Sequence, residues 1–280
     1  MVNKQKTWFI TGASRGFGLA LTKRLLTHGD RVVATSRDLE ALRLSVGNDT
    51  GNFLPLQVDL TSDLAVREAI AHAIEHFENL DVVVNNAGYA LVGSVEEMSD
   101  EEFRATMDVN FFGTVNVLRH LIPHFRSRRA GHIINISSIA GYTGIALASS
   151  YSASKYAVVG LTESLMKEVT LFDVKVTLLA PGEFRTNFMD EVSIRYVSNR
   201  VREYQLDQTQ QAWTEASGEQ PGDPEKLVEI IEDIAAMEMP PQRLILGEDA
   251  YQLFTAQQRV ESEDVEKYKA LSLSTNFNNG

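Results

Sequence analysis

The chain has 280 residues, 44% of them hydrophobic, enough to bury a core in one large domain or two small ones. Its formal net charge of -12 disfavours nucleic acid and anionic membranes, and Arg126, Arg128 and Arg129 form only a short basic patch. The absence of cysteine excludes disulfides, thiolate chemistry and cysteine-ligated zinc. No apolar run reaches the length of a membrane span, and the N-terminal run Trp8-Phe9-Ile10 breaks at Gly12, too early for a signal peptide, so a cytoplasmic location is expected.

Short β-branched apolar runs recur along the chain, at 8–10, 31–35, 53–58, 82–84, 132–136, 174–179 and 243–246. Between them lie stretches of helical length and period at 19–27, 64–77, 103–125 and 153–171. Strands alternating with helices predict βαβ units, and seven strands fit one α/β domain: a doubly wound (Rossmann) parallel sheet with helices on both faces. Asp223-Pro224 reads as an N-cap followed by proline at the first helical position, and Pro240-Pro241 ends that helix before the last strand. The segment 184–222 breaks the alternation and carries Phe184, Phe188, Met189, Tyr196, Tyr204 and Trp213. Either a substrate lid or a small satellite core would account for it. The catalytic domain is thus expected over 1–247, and 248–280 reads as a helical extension with a frayed tail.

Immediately after the first strand stands Thr11-Gly12-Ala13-Ser14-Arg15-Gly16-Phe17-Gly18, with a helical pattern following. Glycines there let the backbone turn tightly and approach a pyrophosphate held by the free N–H groups of the helix start. Three residues separate the first two glycines and one separates the last two, a relative of the common dinucleotide fingerprint. Where an acidic residue would hold the ribose 2'-hydroxyl of NAD, the second strand ends in Ser36-Arg37. Arg37 together with Arg15 suits the 2'-phosphate of NADP(H), while Asp38 leaves NAD open.

A Tyr and a Lys four apart, Tyr151 and Lys155, share one helical face. An unperturbed phenol titrates near pKa ~10, and an adjacent ammonium is expected to lower it toward neutral working pH. With Asn85-Asn86-Ala87-Gly88, Asn110, Ser138, Tyr151-Ser152-Ala153-Ser154-Lys155 and Pro181-Gly182 through Thr186, in that order, the chain resembles the short-chain dehydrogenase/reductase family. The resemblance runs from Thr11 to about Thr186 and more loosely to Leu246, and its details are closest to the hydroxysteroid and retinol dehydrogenase branch.

The resemblance implies Tyr151 as the proton-transfer group, Lys155 as the residue tuning it and holding the nicotinamide ribose, and Ser138 as the donor to the substrate oxygen, with Ser137 the alternative. Asn110 would anchor a water relaying protons from Lys155. Cofactor contacts are implied at Gly12, Ser14, Arg15, Gly16, Phe17, Gly18, Arg37, Asp59, Leu60, Asn86, Ala87, Gly88, Tyr151, Lys155, Pro181, Gly182 and Thr186, while Glu183 departs from the small or apolar residue of many relatives. A homodimer or homotetramer through the two long helices is a further implication. The pairs His72/His76 and His120/His124 read as exposed helix positions, not metal ligands, and Glu96, Glu97, Asp100, Glu101 and Glu102 as an acidic helix start. The expected activity is NADP(H)-dependent interconversion of a bulky apolar ketone and its alcohol. The alternatives are a cofactor sensor without turnover, which would not need the proton-transfer set, and an epimerase or dehydratase, which usually carries a larger C-terminal domain.

Overall fold

A computed structural model describes residues 5–47, 51–186 and 193–277. Seven parallel strands form the central sheet: β1 (Thr7–Thr11), β2 (Arg31–Ser36), β3 (Phe53–Gln57), β4 (Val82–Asn85), β6 (Gly131–Ile136), β7 (Val174–Pro181) and β9 (Arg243–Leu246). Their spatial order is β3-β2-β1-β4-β6-β7-β9, so the chain reverses direction across the sheet between β1 and β4. Ligands of open parallel sheets bind outside the carboxyl ends at such a switch point.

The strands are apolar on both faces because both are covered. Trp8 and Ile10 of β1 enter a core shared with α1 (Gly16–Thr27), α2 (Leu39–Val46) and α8 (Pro224–Ala236). Phe9, between them, enters the opposite core with α3 (Asp63–Phe77), α5 (Gly113–Arg128) and α6 (Ser149–Val169). All three side chains are fully buried, the period-two alternation of a strand read out in two layers. Helix starts are fixed locally: Asp38 caps α2, Ser62 caps α3, Asp223 caps α8 with Pro224 following, and Ser99 and Glu102 form a capping box on α4 (Asp100–Met107).

Three departures from the sequence reading bear on the site. The expected single helix 103–125 is α4 and α5 joined by one π-helical turn, Asp108–Phe112, with Asn110 in it. Such turns cluster at functional sites. A second, two-stranded parallel sheet, β5 (Ala90–Val92) with β8 (Ile194–Tyr196), was not expected. It belongs to a small core of Tyr89, Leu91, Val92, Ile194, Val197 and Leu206, against which Trp213 of α7 (Leu206–Glu215) packs, so the segment after β7 does form a satellite core. Phe188 and Met189 of that segment, and Asn278 to Gly280 of the tail, lie outside the described residues.

The region beyond 247 is also more than an extension. Helix α9 (Glu248–Lys267) buries Ala250 and sets Phe254 edge-on against Tyr142 at 5.0 Å, while its distal part and α10 (Lys269–Leu273) are exposed. Arg128 and Arg129 of the basic patch are ion-paired with Asp81 and Asp173. His72 and His76 are exposed, but His120 and His124 are half-buried struts: His120 contacts Asp63 at 2.9 Å, and His124 accepts from the Leu80 N–H at 3.2 Å. Among the described residues no cluster of metal-ligating side chains occurs and no helix is long and apolar enough to cross a membrane.

Candidate active site

The glycine turn joins β1 to α1 at the switch point. Gly12 and Gly16 adopt left-handed backbone, φ +67° and +52°. A Cβ on Gly12 would lie 2.8 Å from Ala87 Cα, and one on Gly18 would lie 2.6 Å from the Gly12 carbonyl oxygen. Arg15 is the N-cap of α1 and its side chain does not cap the helix, whose start presents N–H groups of the kind that suit an anion. These features fit a dinucleotide pyrophosphate.

Thr11 locks the turn to the end of β4. Its hydroxyl oxygen accepts from the Asn86 and Ala87 N–H groups at 3.0 and 3.1 Å, and the Asn86 amide donates to the Thr11 and Gly12 carbonyls at 2.9 and 3.1 Å. Asn86 therefore holds the cradle together besides facing it. At the end of β2, the Arg37 guanidinium is exposed and has no ion-pair or hydrogen-bond partner among the described residues. The Asp38 carboxylate accepts from the Ala41 N–H at 2.9 Å as the cap of α2. Asp59 accepts from the Thr61 N–H and hydroxyl, and the Leu60 carbonyl accepts from Asn116 at 2.9 Å, which fixes this part of the rim.

The tyrosine, lysine and serine meet where β6, β7 and α6 converge. Ser138 caps a 3-10 turn after β6, accepting from the Ala140 N–H at 3.1 Å, and is hydrogen-bonded to the Tyr151 side chain. Ser137 is buried beneath α6 and donates to the Lys155 carbonyl at 2.9 Å, whereas Ser138 is the serine bonded to the Tyr151 side chain. Lys155 is 4% exposed, donates to the Ile136 carbonyl at 3.0 Å and places its ammonium 5.7 Å from the Tyr151 ring centre.

Burial lowers Lys155 to about 8. Burial also pushes the Tyr151 phenol up to about 12, against the downward pull of its hydrogen bond with Ser138. This corrects the expectation of an acidified phenol. Desolvation of the phenolate outweighs the hydrogen bond that favours it.

Asn110 sits in the π-helical turn between α4 and α5. It is 1% exposed behind the site, its oxygen accepting from the Tyr89 N–H at 3.0 Å and its amide donating to the Tyr89 carbonyl and the Ser154 hydroxyl at 2.9 and 3.0 Å. The side chain thus clamps Tyr89 to α6. Gly88 completes this contact, since a Cβ there would lie 3.2 Å from the Asn110 oxygen and 3.6 Å from the Lys155 nitrogen.

All the residues nominated from sequence, except Gly18 and Asn110, line one cavity of about 700 Å³. Gly18 packs behind the glycine turn and Asn110 behind Tyr89. Sequence reasoning missed Asp249 and Leu253 of α9 in the same wall, together with Glu219 and Gln220. It also missed the edge-on contact of Phe17 with Phe184, 5.4 Å between centres, which ties the glycine turn to the loop after β7. No local motif marks these residues, because distant segments bring them together.

Residues 6–196 match the family model for short chain dehydrogenases. The chain belongs to the short chain dehydrogenase family. It is an oxidoreductase of that family, 36% identical over 276 residues to "Oxidoreductase BOA17" of Botryotinia fuckeliana, covering 96% of this chain and 99% of the relative. Retinol dehydrogenase 8 of Homo sapiens is 37% identical over 196 residues, 67% of this chain and 62% of that protein. Among solved structures, a short-chain dehydrogenase from Streptomyces avermitilis superposes with a TM-score of 0.89 at 33% identity, covering 98% and 100% of the two chains. A short chain dehydrogenase from Burkholderia cenocepacia in complex with NADP gives 0.72 at 26% identity, covering 94% and 97%.

Proposed function

We propose that this family member is an NADP(H)-dependent carbonyl reductase or alcohol dehydrogenase acting on a bulky, mainly apolar ketone or secondary alcohol. The observation that carries this reading is the hydrogen-bonded Ser138–Tyr151 pair beside buried Lys155, opening into the cavity whose far end is the glycine turn. NADP(H), when bound, supplies or accepts the hydride. Ser138 and Tyr151 would hold the carbonyl oxygen as negative charge develops on it. A phenol held near 12 is fully protonated at neutral pH and suits the reductive direction: it donates its proton to the oxygen as the carbon gains hydride. Lys155 would then hold the phenolate by charge while solvent restores its proton. Asn110 enters as a positioning residue that fixes Tyr89 and α6.

For the cofactor, an exposed and unpaired Arg37 supports NADP(H) over NAD(H), and the use of Asp38 as a helix cap weakens the NAD alternative. For the substrate, Ile145, Ala148, Ile194 and Trp213 give the cavity an apolar wall, and the segment 193–222 would act as its lid. A cytoplasmic homodimer or homotetramer completes the reading, with Phe112 and Tyr156, 49% and 43% exposed at the two long helices, as interface candidates.

The test is to follow NADPH and NADH oxidation against steroidal, aromatic and small aliphatic ketones, with Tyr151→Phe as control. The variant should lose roughly 100-fold or more in kcat while still binding NADPH. Equal turnover in the variant would refute the assignment of Tyr151. Tight NADPH binding with no turnover on any ketone would instead favour the cofactor-sensor alternative.

A further inference from the structure

The loop that leaves β7, residues 182–186, lines the cavity through Gly182, Glu183, Phe184 and Thr186. It stands against the glycine turn: the Phe184 ring meets Phe17 edge-on at 5.4 Å, and a Cβ on Gly16 would lie 4.0 Å from Thr186 Cβ. A cofactor lying along the turn therefore meets a surface whose shape depends on how this loop is held.

Three separate segments hold it. The Gly182 N–H donates to the Leu246 carbonyl at 2.8 Å, continuing the β7–β9 pairing by one residue. The Glu183 carbonyl accepts from the Gly222 N–H at 3.0 Å, and the Arg185 N–H donates to the Gly222 carbonyl at 2.8 Å. The N–H of Glu183, in contrast, goes to a side chain: Asp249 Oδ2 accepts it at 2.7 Å. Space for that carboxylate is made by two glycines, since a Cβ on Gly182 would collide with Oδ2 and one on Gly247 would lie 2.5 Å from Oδ1. Asp249 sits in the first turn of α9, where the helix dipole favours a carboxylate, and its neighbour Ala250 is fully buried. The acceptor is thus carried on an anchored helix start.

The same helix has a second anchor of a different kind. Phe254 meets Tyr142 edge-on at 5.0 Å, and the Arg243 guanidinium lies 5.1 Å from that ring while ion-paired with Glu163 of α6. Tyr142 belongs to the segment between Ser138 and Tyr151, whose Ile145 and Ala148 line the cavity. One helix start therefore reaches two walls, one by a charged hydrogen bond and one by ring packing.

Resting on the cofactor binding proposed above, we propose that Asp249 is a positioning residue for the nicotinamide cofactor. It fixes the Glu183 peptide, and with it the loop 182–186, in the shape against which the cofactor binds, and it acts through that loop without touching the cofactor. A carboxylate on a backbone N–H is among the stronger hydrogen bonds, and a loop released from it must be ordered again when the cofactor binds. The first turn of α9, beyond the 247 boundary expected from sequence, then belongs to the cofactor site.

The experiment is a fluorescence titration of NADPH, repeated with NADH, on the wild type, Asp249→Ala, Asp249→Asn and Phe254→Ala, with the urea midpoint of each. Asp249→Ala should raise the Kd about tenfold, and Asp249→Asn, which keeps an oxygen acceptor, should return it to within about threefold of wild type. Phe254→Ala cuts the other anchor of the same helix: it should lower the urea midpoint at least as much as Asp249→Ala and leave the Kd within about twofold. A helix that only stabilised the fold would make Kd follow the midpoint across the variants. That result, or a wild-type Kd in Asp249→Ala, overturns the inference. Hydrogen exchange of the cofactor-free protein reads the loop directly: the 182–186 amides should exchange faster in Asp249→Ala, and equal protection overturns the inference even where Kd rises. Neither measurement uses a ketone. A wild type that binds NADPH and reduces nothing therefore defeats the proposed reaction, while the Kd ratios and the exchange rates still decide the role of Asp249.

Discussion

Replacing Thr11 with Val removes a hydroxyl while keeping the β-branched shape that β1 requires. The hydroxyl oxygen accepts two N–H groups at 3.0 and 3.1 Å, and its long contact with the Val84 carbonyl, 3.5 Å, adds little. Each accepted bond is worth about 1 kcal/mol net, and the N–H groups it would orphan are only partly buried, so water can recover part of the loss. The expected destabilisation is about 2 kcal/mol, read as a lower urea midpoint at unchanged slope. Because the same two bonds hold Asn86 and Ala87 against the glycine turn, NADPH must also supply ordering that the fold no longer provides. Its Kd should rise by up to about tenfold for each 1.4 kcal/mol of that ordering. Thr11→Ser, which keeps the oxygen, should restore most of both quantities. Wild-type midpoint and Kd in Thr11→Val would refute the role given to this hydroxyl.

Three further outcomes are expected. Burial lowers Lys155 from 10.5 to about 8, so the folded protein sheds this proton before the unfolded chain does. The stability of the cofactor-free wild type, measured by urea unfolding, should therefore rise relative to Lys155→Met between pH 8 and 10.5 and show no such gain below pH 8. Burial raises the Glu97 carboxyl, but hydrogen bonds from the Ser94 N–H, the Val201 N–H and the Ser94 hydroxyl outweigh it and hold the group below its ordinary 4.5. Its contribution to stability is present above that value and lost as pH falls through the depressed one. Because Val201 follows β8, Glu97→Gln should loosen this wall and raise the KM for ketone about three- to tenfold at unchanged NADPH Kd, which steady-state kinetics and a fluorescence titration would check. Arg37→Ala should weaken NADPH binding by roughly 10- to 100-fold in the same titration and leave NADH nearly unaffected, the loss of a charge-assisted contact.

The seven strands of the main sheet were legible because each is an apolar run buried on both faces, and a run such as Trp8-Phe9-Ile10 has no other stable use in a chain of this composition. The glycine turn was legible for a similar reason, since only glycine meets the backbone requirement at Gly12 and the close approach at Gly18. Helix α2 escaped notice because it is only eight residues long, although its Asp38 cap and Gly47 end are both written in the sequence. The acidic stretch near 97 was misread at one position: Ser99 and Glu102 do begin a helix, but Glu97 is a buried acceptor, and its Val201 partner is 104 residues away.

Sequence by itself determined the order of the seven main-sheet strands, the glycine turn and the candidate set Ser138, Tyr151 and Lys155, because these depend on local geometry and on residue types that few other roles require. Tertiary structure decided what those residues experience. It bonded Ser138 to Tyr151 and buried Ser137 under α6, set Asn110 between Tyr89 and α6 through a π-helical turn, and raised the Tyr151 phenol by desolvation where spacing alone suggested an acidified one. It also brought Gln220 and Asp249 into one wall from positions 29 residues apart. Burial and long-range contact are properties of the packed chain, and no window of sequence contains them.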